Sequence, residues 1–390
     1  MNISSFQLAA LAVAAIDGLE AVGTRGPYVR TPDFQFGGVL DSRGRHWVVK
    51  YPLNTVAATT LEAEIALAPA LRSALQSNRL PFDVMRPGGF AQVPTGRVLV
   101  YQAPMGRPRP FEELTASGAH ELGRTLAAIH NLPQHILEAS GHAVYSADQS
   151  RQRLLTELHD IDATHPIPAV LRRRWEEALE EAAQWQFATR VVHGDVTAEN
   201  FLWSEGAVSC VLGFGQAQVG DPAQDFAELI AVLPEELFDA VLTSYQNALQ
   251  GTVDENLISR ALLLSELALM QWLSYGVRTD NGEIIAQARE MLDELAADIS
   301  ADPELDTGVA WQLEEDTYYA PADAELVTET ELMVSSDSPV AEVATPSAPS
   351  VSSTSSASAV SSSSPASSGS PVSGVSPLTG ETPETAESAD

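Results

Sequence analysis

Two short constellations carry the residue types that moving a phosphoryl group requires. The first is Val191-Val192-His193-Gly194-Asp195-Val196-Thr197-Ala198-Glu199-Asn200, where an Asp is followed five positions later by an Asn. In a loop between short strands, that spacing lets the Asp195 carboxylate meet a substrate hydroxyl while the Asn200 amide oxygen coordinates Mg²⁺. Phosphoryl transfer asks mainly for positioning and charge neutralisation, because its loose transition state needs little proton abstraction. The competing reading is a turn in which His193, Asp195 and Asn200 hydrogen-bond to nearby backbone.

The second constellation centres on Lys50, the only lysine in the chain against 20 arginines. It ends the run His46-Trp47-Val48-Val49-Lys50, where a flexible point charge can pair with phosphates in a way that a rigid guanidinium fork does not match. Glu62 and Glu64 follow at the right sequence distance to orient it through an ion pair. Leu61 and Ile65 mark the inward face of their segment and favour Glu64. The plain alternatives are an exposed lysine and a solvated helix face.

Elements that position these groups can be read from periodicity. Ser4 to Leu19 reads as a short amphipathic helix. Phe34 to Leu40 and His46 to Tyr51 read as strands joined by the polar turn Asp41 to Arg45. Thr60 to Gln76 is helical in type, and further strands are expected at Gly89 to Gln92 and Arg97 to Tyr101. Gly37-Gly38 lies either over a nucleotide or at a bulge or turn. From Pro110 the pattern is helical: Phe111 to His130, Ser150 to His159, Pro168 to Trp185, Phe226 to Leu249, Asp254 to Tyr275 and Asn281 to Ile299. Short strands interrupt it between Val191 and Leu212. Asp221 is expected to cap a turn before Pro222, and Asp225 to cap the helix that starts at Phe226. The remaining histidines, His130 among them, read as surface or packing residues.

Composition sets further bounds. Residues 301–390 hold 16 acidic residues and no Lys or Arg, so half of the net charge of -32 lies there. That segment is rich in Ser and Pro, and its few large apolar groups cannot offset the entropy of ordering, so a disordered acidic tail is expected. Its charge suits a protein partner. Negative charge throughout argues against nucleic acid and anionic lipid as partners. The single cysteine, Cys210, excludes an intrachain disulfide and fits a reducing compartment. No basic residue precedes the apolar run Leu8 to Ile16, and no stretch is expected to span a membrane, so a cytoplasmic protein is expected.

In combination these motifs are specific. His193-Gly194-Asp195 with Asn200 resembles the catalytic loop of the aminoglycoside and macrolide phosphotransferases. Gly220-Asp221-Pro222-Ala223-Gln224-Asp225-Phe226-Ala227 is similar to the segment after their metal-binding strand, and Leu122 to His130 to the helix after their interlobe hinge. Tyr101-Gln102-Ala103-Pro104-Met105-Gly106 resembles that hinge. The resemblance spans roughly residues 20 to 300. It implies an α+β, bilobal, protein-kinase-like fold, with a small antiparallel-sheet lobe (1–105), a mainly helical lobe (106–300) and a tail (301–390). It also implies ATP or GTP and Mg²⁺, with a small hydroxylated molecule as acceptor. Asp195 would be the catalytic base, Asn200 a Mg²⁺ ligand and Lys50 the phosphate-binding lysine, with Glu62 or Glu64 as its partner. Backbone groups of Gln102 and Ala103 would read the base. One position departs from the family: in Val211-Leu212-Gly213-Phe214-Gly215, Gly213 stands where the family carries a metal-binding Asp. That substitution keeps a second expectation open, a non-catalytic pseudokinase that binds nucleotide or a protein partner.

Overall fold

The computed structural model describes residues 3–301 apart from residue 253. The expectations for the acidic tail lie outside the described residues.

Helix α1 (Ser5–Ala15) leads into an antiparallel sheet of β1 (Ala21–Arg30), β2 (Phe34–Asp41), β3 (His46–Pro52), β5 (Pro87–Val93) and β6 (Gly96–Gln102), in the order β1-β2-β3-β6-β5. Between β3 and β5 run helix α2 (Thr55–Gln76) and the two-residue β4 (Asp83–Val84). The period-2 alternation of a strand assigns the two faces. Trp47 and Val49 of β3 pack with Leu8 and Ala12 of α1 on one side, while Val48 packs with Leu61 and Ala68 of α2 on the other. Lys50 shares the Val48 face and therefore points at α2. The buried stripe of α2 runs Ala57, Leu61, Glu64, Ala68, Leu71 at helical spacing, so Glu64 replaces an apolar residue in the middle of the inward face.

Strand β1 was not foreseen, because ten residues almost all exposed leave no alternation to read. Gly37 and Gly38 lie inside β2, as its strand reading expected, opposite the bulge of β1 between Arg25 and Tyr28, which bears out the bulge among the alternatives weighed for them. A Cβ at Gly37 would lie 2.6 Å from Leu8 Cδ1, and one at Gly38 would lie 2.0 Å from the Arg25 carbonyl oxygen, so close approach of α1 and β1 explains both glycines.

The chain then passes through β7 (Arg107–Pro108) into a helical lobe. It comprises α3 (Ala116–His130), α4 (His135–Ala139), α5 (Ala147–Thr164), α6 (Ala169–Glu180), β8 (Arg190–Val192), β9 (Phe201–Ser204), β10 (Ala207–Val211), β11 (Gln218–Gly220), α7 (Ala227–Val232), α8 (Glu235–Ala248), α9 (Leu257–Arg278) and α10 (Gly282–Ala301). The expected continuous helix from Phe226 to Leu249 is broken: α7 stops before Leu233, whose ψ of 140° is extended, and α8 starts after Pro234. A proline disfavours helical backbone in the residue before it and offers no N–H itself. Helix α9 is long and apolar enough to cross a membrane by length and composition, contrary to expectation. Its Leu263, Leu267, Met270 and Leu273 are nevertheless buried against Leu158, Leu171 and Trp175 of α5 and α6 and against Leu292 of α10.

Candidate active site

Strand β8 delivers the loop that begins at His193, and a buried carboxylate from further along the chain holds that loop. Asp225 accepts the His193 N–H at 2.7 Å through Oδ2 and the Gly194 N–H at 2.8 Å through Oδ1. The same Oδ2 lies 2.9 Å from His130 Nε2, and His130 Nδ1 lies 2.8 Å from the Tyr245 hydroxyl. Burial alone would raise the Asp225 pKa, but hydrogen bonds from His130 and the Gly194 N–H hold it below the ordinary value. Burial pushes the Tyr245 phenol well up, with nearby carboxylates adding to the effect, so it keeps its proton. The ionised Asp225 can only accept, so His130 donates to it through Nε2, while Nδ1 shares a hydrogen bond with the Tyr245 hydroxyl. This corrects the expectation that Asp225 caps a helix and that His130 merely packs. Asp221 does cap a turn, accepting the Ala223 N–H at 2.9 Å, and also receives Arg260 through both oxygens. Arg260 is fully buried and pairs with Asp254 as well.

The loop's interior is fixed by its own side chains. His193 Nε2 lies 2.7 Å from the Leu212 carbonyl, which can only accept, and Nδ1 takes the Asp195 N–H at 3.2 Å. The imidazole is therefore neutral, with its proton on Nε2. Asn200 Nδ2 donates to the Asp195 carbonyl and to Asp195 Oδ2, both at 2.9 Å. The hydrogen-bonded turn weighed from sequence is thus realised, and the half-buried Asp195 carboxylate is part of it.

Lys50 comes to this loop from the sheet. Its Nζ donates to Glu64 Oε2 at 2.6 Å, while Glu64 Oε1 accepts the Gly213 N–H at 3.3 Å. Glu62, the other carboxylate considered, pairs instead with Arg97. In the linker, the Ala103 N–H already donates to the His46 carbonyl at 2.8 Å, continuing the β3–β6 ladder, so it is not free to meet a base. Gln102 is exposed.

Gly213 ends the strand after the loop with φ of 80° and ψ of 21°, the left-handed conformation. A Cβ there would lie 2.5 Å from the Asn200 amide, so Asn200 fills the space where a side chain would start. Among the described residues no three His, Cys, Asp or Glu side chains are placed to hold a metal ion. Mg²⁺ is usually gripped by one or two carboxylates together with substrate phosphates and water; on this loop Asp195 is the carboxylate, and the Asn200 amide nitrogen is bonded to it.

A sheet lobe carrying a paired lysine, set on a helical lobe carrying a His-Gly-Asp loop, defines a kinase-like phosphotransferase fold. Comparison agrees: macrolide 2'-phosphotransferase MphH from Brachybacterium faecium superposes with TM-score 0.62 at 22% identity, covering 73% of this chain and 97% of that one. The GDP and kanamycin complex of APH(2")-IIia gives TM-score 0.61 at 18% identity, covering 74% and 98%. In sequence, residues 39–262 match the Phosphotransferase enzyme family, and the chain belongs to it. The uncharacterized protein YcbJ of Bacillus subtilis (strain 168) is 23% identical over 222 residues, 55% of this chain and 72% of that protein. Viomycin phosphotransferase of Streptomyces vinaceus is 34% identical over 100 residues, a quarter of this chain and a third of that enzyme.

Proposed function

We propose that this chain transfers the terminal phosphoryl group of ATP or GTP to a hydroxyl of a small aminoglycoside-, macrolide- or sugar-like molecule. The observation that carries the proposal is the Lys50–Glu64 pair, anchored by Glu64 to the backbone of the strand end beside the Asp195 loop. Lys50 would neutralise phosphate charge, and the Gln102 backbone in the linker would contact the base. Asp195 would accept a hydrogen bond from the acceptor hydroxyl and orient its oxygen toward phosphorus. The new bond joins that oxygen to the terminal phosphorus, the bond to the bridging oxygen breaks, and the nucleoside diphosphate leaves. The hydroxyl proton passes to Asp195 and on to solvent. Mg²⁺ bound with the nucleotide would be held by Asn200 together with the phosphates and would neutralise their charge, and no step is routed through it. The single, buried cysteine suits a cytoplasmic setting.

Calorimetric titration of ATP and GTP into the full chain, followed by assay of phosphoryl transfer to a panel including kanamycin and a macrolide, tests the reading. Transfer that is lost in Asp195→Asn supports it. The second reading, a pseudokinase, draws on Asn200 being bonded into Asp195 and on the bare Gly213; nucleotide binding without transfer to any acceptor would favour it.

A further inference from the structure

The turn between β1 and β2 is tied to both lobes through one carboxyl oxygen. Asp33 Oδ1 accepts from Asn54 Nδ2 at 3.0 Å and from the Tyr275 hydroxyl of α9 at 2.9 Å. Asn54 is also the N-cap of α2, its Oδ1 accepting the Ala57 N–H at 2.8 Å, and the Leu53 N–H donates to the Asp33 carbonyl at 2.7 Å. Tyr275 is a fixed donor: it is 2% exposed and stacks on Trp272 with ring centroids 5.4 Å apart and planes within 5°. The residue after Asp33 is Phe34, whose ring lies 4.4 Å from Lys50 Nζ. With Glu64 holding one N–H and the Phe34 ring lying over it, the ammonium is sheltered, and the residue is 8% exposed. The Phe34 ring therefore narrows the approach of a phosphate to Lys50. Phe34 is coupled to the turn, because the Thr31 N–H donates to its carbonyl at 2.8 Å.

We propose that Tyr275 and Asp33 form a latch between the lobes that keeps Phe34 over Lys50, so that Tyr275 is a positioning residue deciding when the ammonium is open to phosphate. The role in nucleotide binding rests on the function proposed above; the latch itself does not. It places control of the lysine on α9, a helix of the lobe opposite the sheet. Movement of α9 would then free the turn, and anchoring of α9 would hold it shut.

Lys50 being the only lysine, an amine-reactive ester reports on this directly: peptide mapping of the full-length protein separates its modification from that of the terminal amine. Tyr275→Phe removes the hydroxyl and keeps the ring stack. Losing one hydrogen bond should raise the Lys50 labelling rate about tenfold. Asp33→Ala is the second variant and should do the same. Labelling of the buried Cys210 in the same samples monitors global opening. Faster Lys50 labelling with unchanged Cys210 labelling supports the latch. Lys50 rates equal to wild type in both variants, or Lys50 and Cys210 rates rising together, overturn it. Adding ATP to Tyr275→Phe separates the two ideas, since failure to protect the opened Lys50 there counts against nucleotide binding and leaves the variant comparison without ATP to judge the latch.

Discussion

Glu64 accepts the backbone N–H of Gly213 at a distance of 149 residues along the chain, and with its other oxygen it accepts Lys50. One carboxylate thereby joins the sheet lobe to the strand end beside the Asp195 loop. Lys50 and Glu64 are 8% and 4% exposed, and breaking such a pair leaves an uncompensated charge in a poorly solvated place. Glu64→Gln should lower unfolding free energy in urea by about 3 kcal/mol, whereas Glu64→Gln with Lys50→Met should recover most of the loss. A double variant no more stable than the single would show that the pair is not the source.

Asp225 gives the protein a dependence on acid. Because its folded pKa lies below the ordinary aspartate value of 3.8, its contribution to stability is fully present above that value and is lost as pH falls through the folded one. Urea midpoints should therefore drop below pH 3.8 more steeply in the wild type than in Asp225→Asn. At neutral pH that variant should already be about 3 kcal/mol less stable, having replaced an ionised acceptor of three hydrogen bonds by an amide.

What could be read from sequence follows from how local each constraint is. The Lys50–Glu64 pairing was legible because a strand alternation and a helical stripe each point one residue inward, and both periods are visible in the chain. The Asp225 role was not legible: its partners lie 95, 32 and 31 residues away, so its neighbours suggested only a cap. Arg260 did leave a signal, a lone charge amid Leu257-Ile258-Ser259-Arg260-Ala261-Leu262-Leu263, since a buried guanidinium needs carboxylates. Pro234 was likewise in view, and the helical periodicity on both sides masked the break.

Gly123 tests helix packing in the same lobe. A Cβ there would lie 2.1 Å from the Val241 carbonyl oxygen of α8, backbone that cannot turn aside. Alanine gains about 1 kcal/mol over glycine in a helix interior. Forcing α3 and α8 apart costs about 1–3 kcal/mol. Gly123→Ala should therefore be net destabilising, and a raised melting temperature would refute the close approach.

Cys210 should be chemically silent. Burial, reinforced by Asp83, pushes its thiol up to about 12, and the side chain is inaccessible, so almost no thiolate exists near neutral pH. A disulfide reagent should react at the rate of unfolding, rising with urea. Rapid reaction in native buffer would contradict this burial.

Gly213→Asp asks what the bare strand end does to metal binding. At φ of 80° an L residue is strained, Asp less than most, and its Cβ would displace the Asn200 amide from its present place. Stability should fall by about 1–3 kcal/mol. Gly213→Ala shares the strain without the carboxylate and is the control. In the Asp variant a second carboxylate stands beside Asn200 and Asp195, so Mg²⁺ should tighten ATP binding about tenfold more than it does in the Ala variant or the wild type. Calorimetry with Mg²⁺ and with chelator measures this. Equal metal responses in the Asp and Ala variants would mean that position 213 does not face the phosphates, and that the glycine serves only the turn and its contact with Glu64.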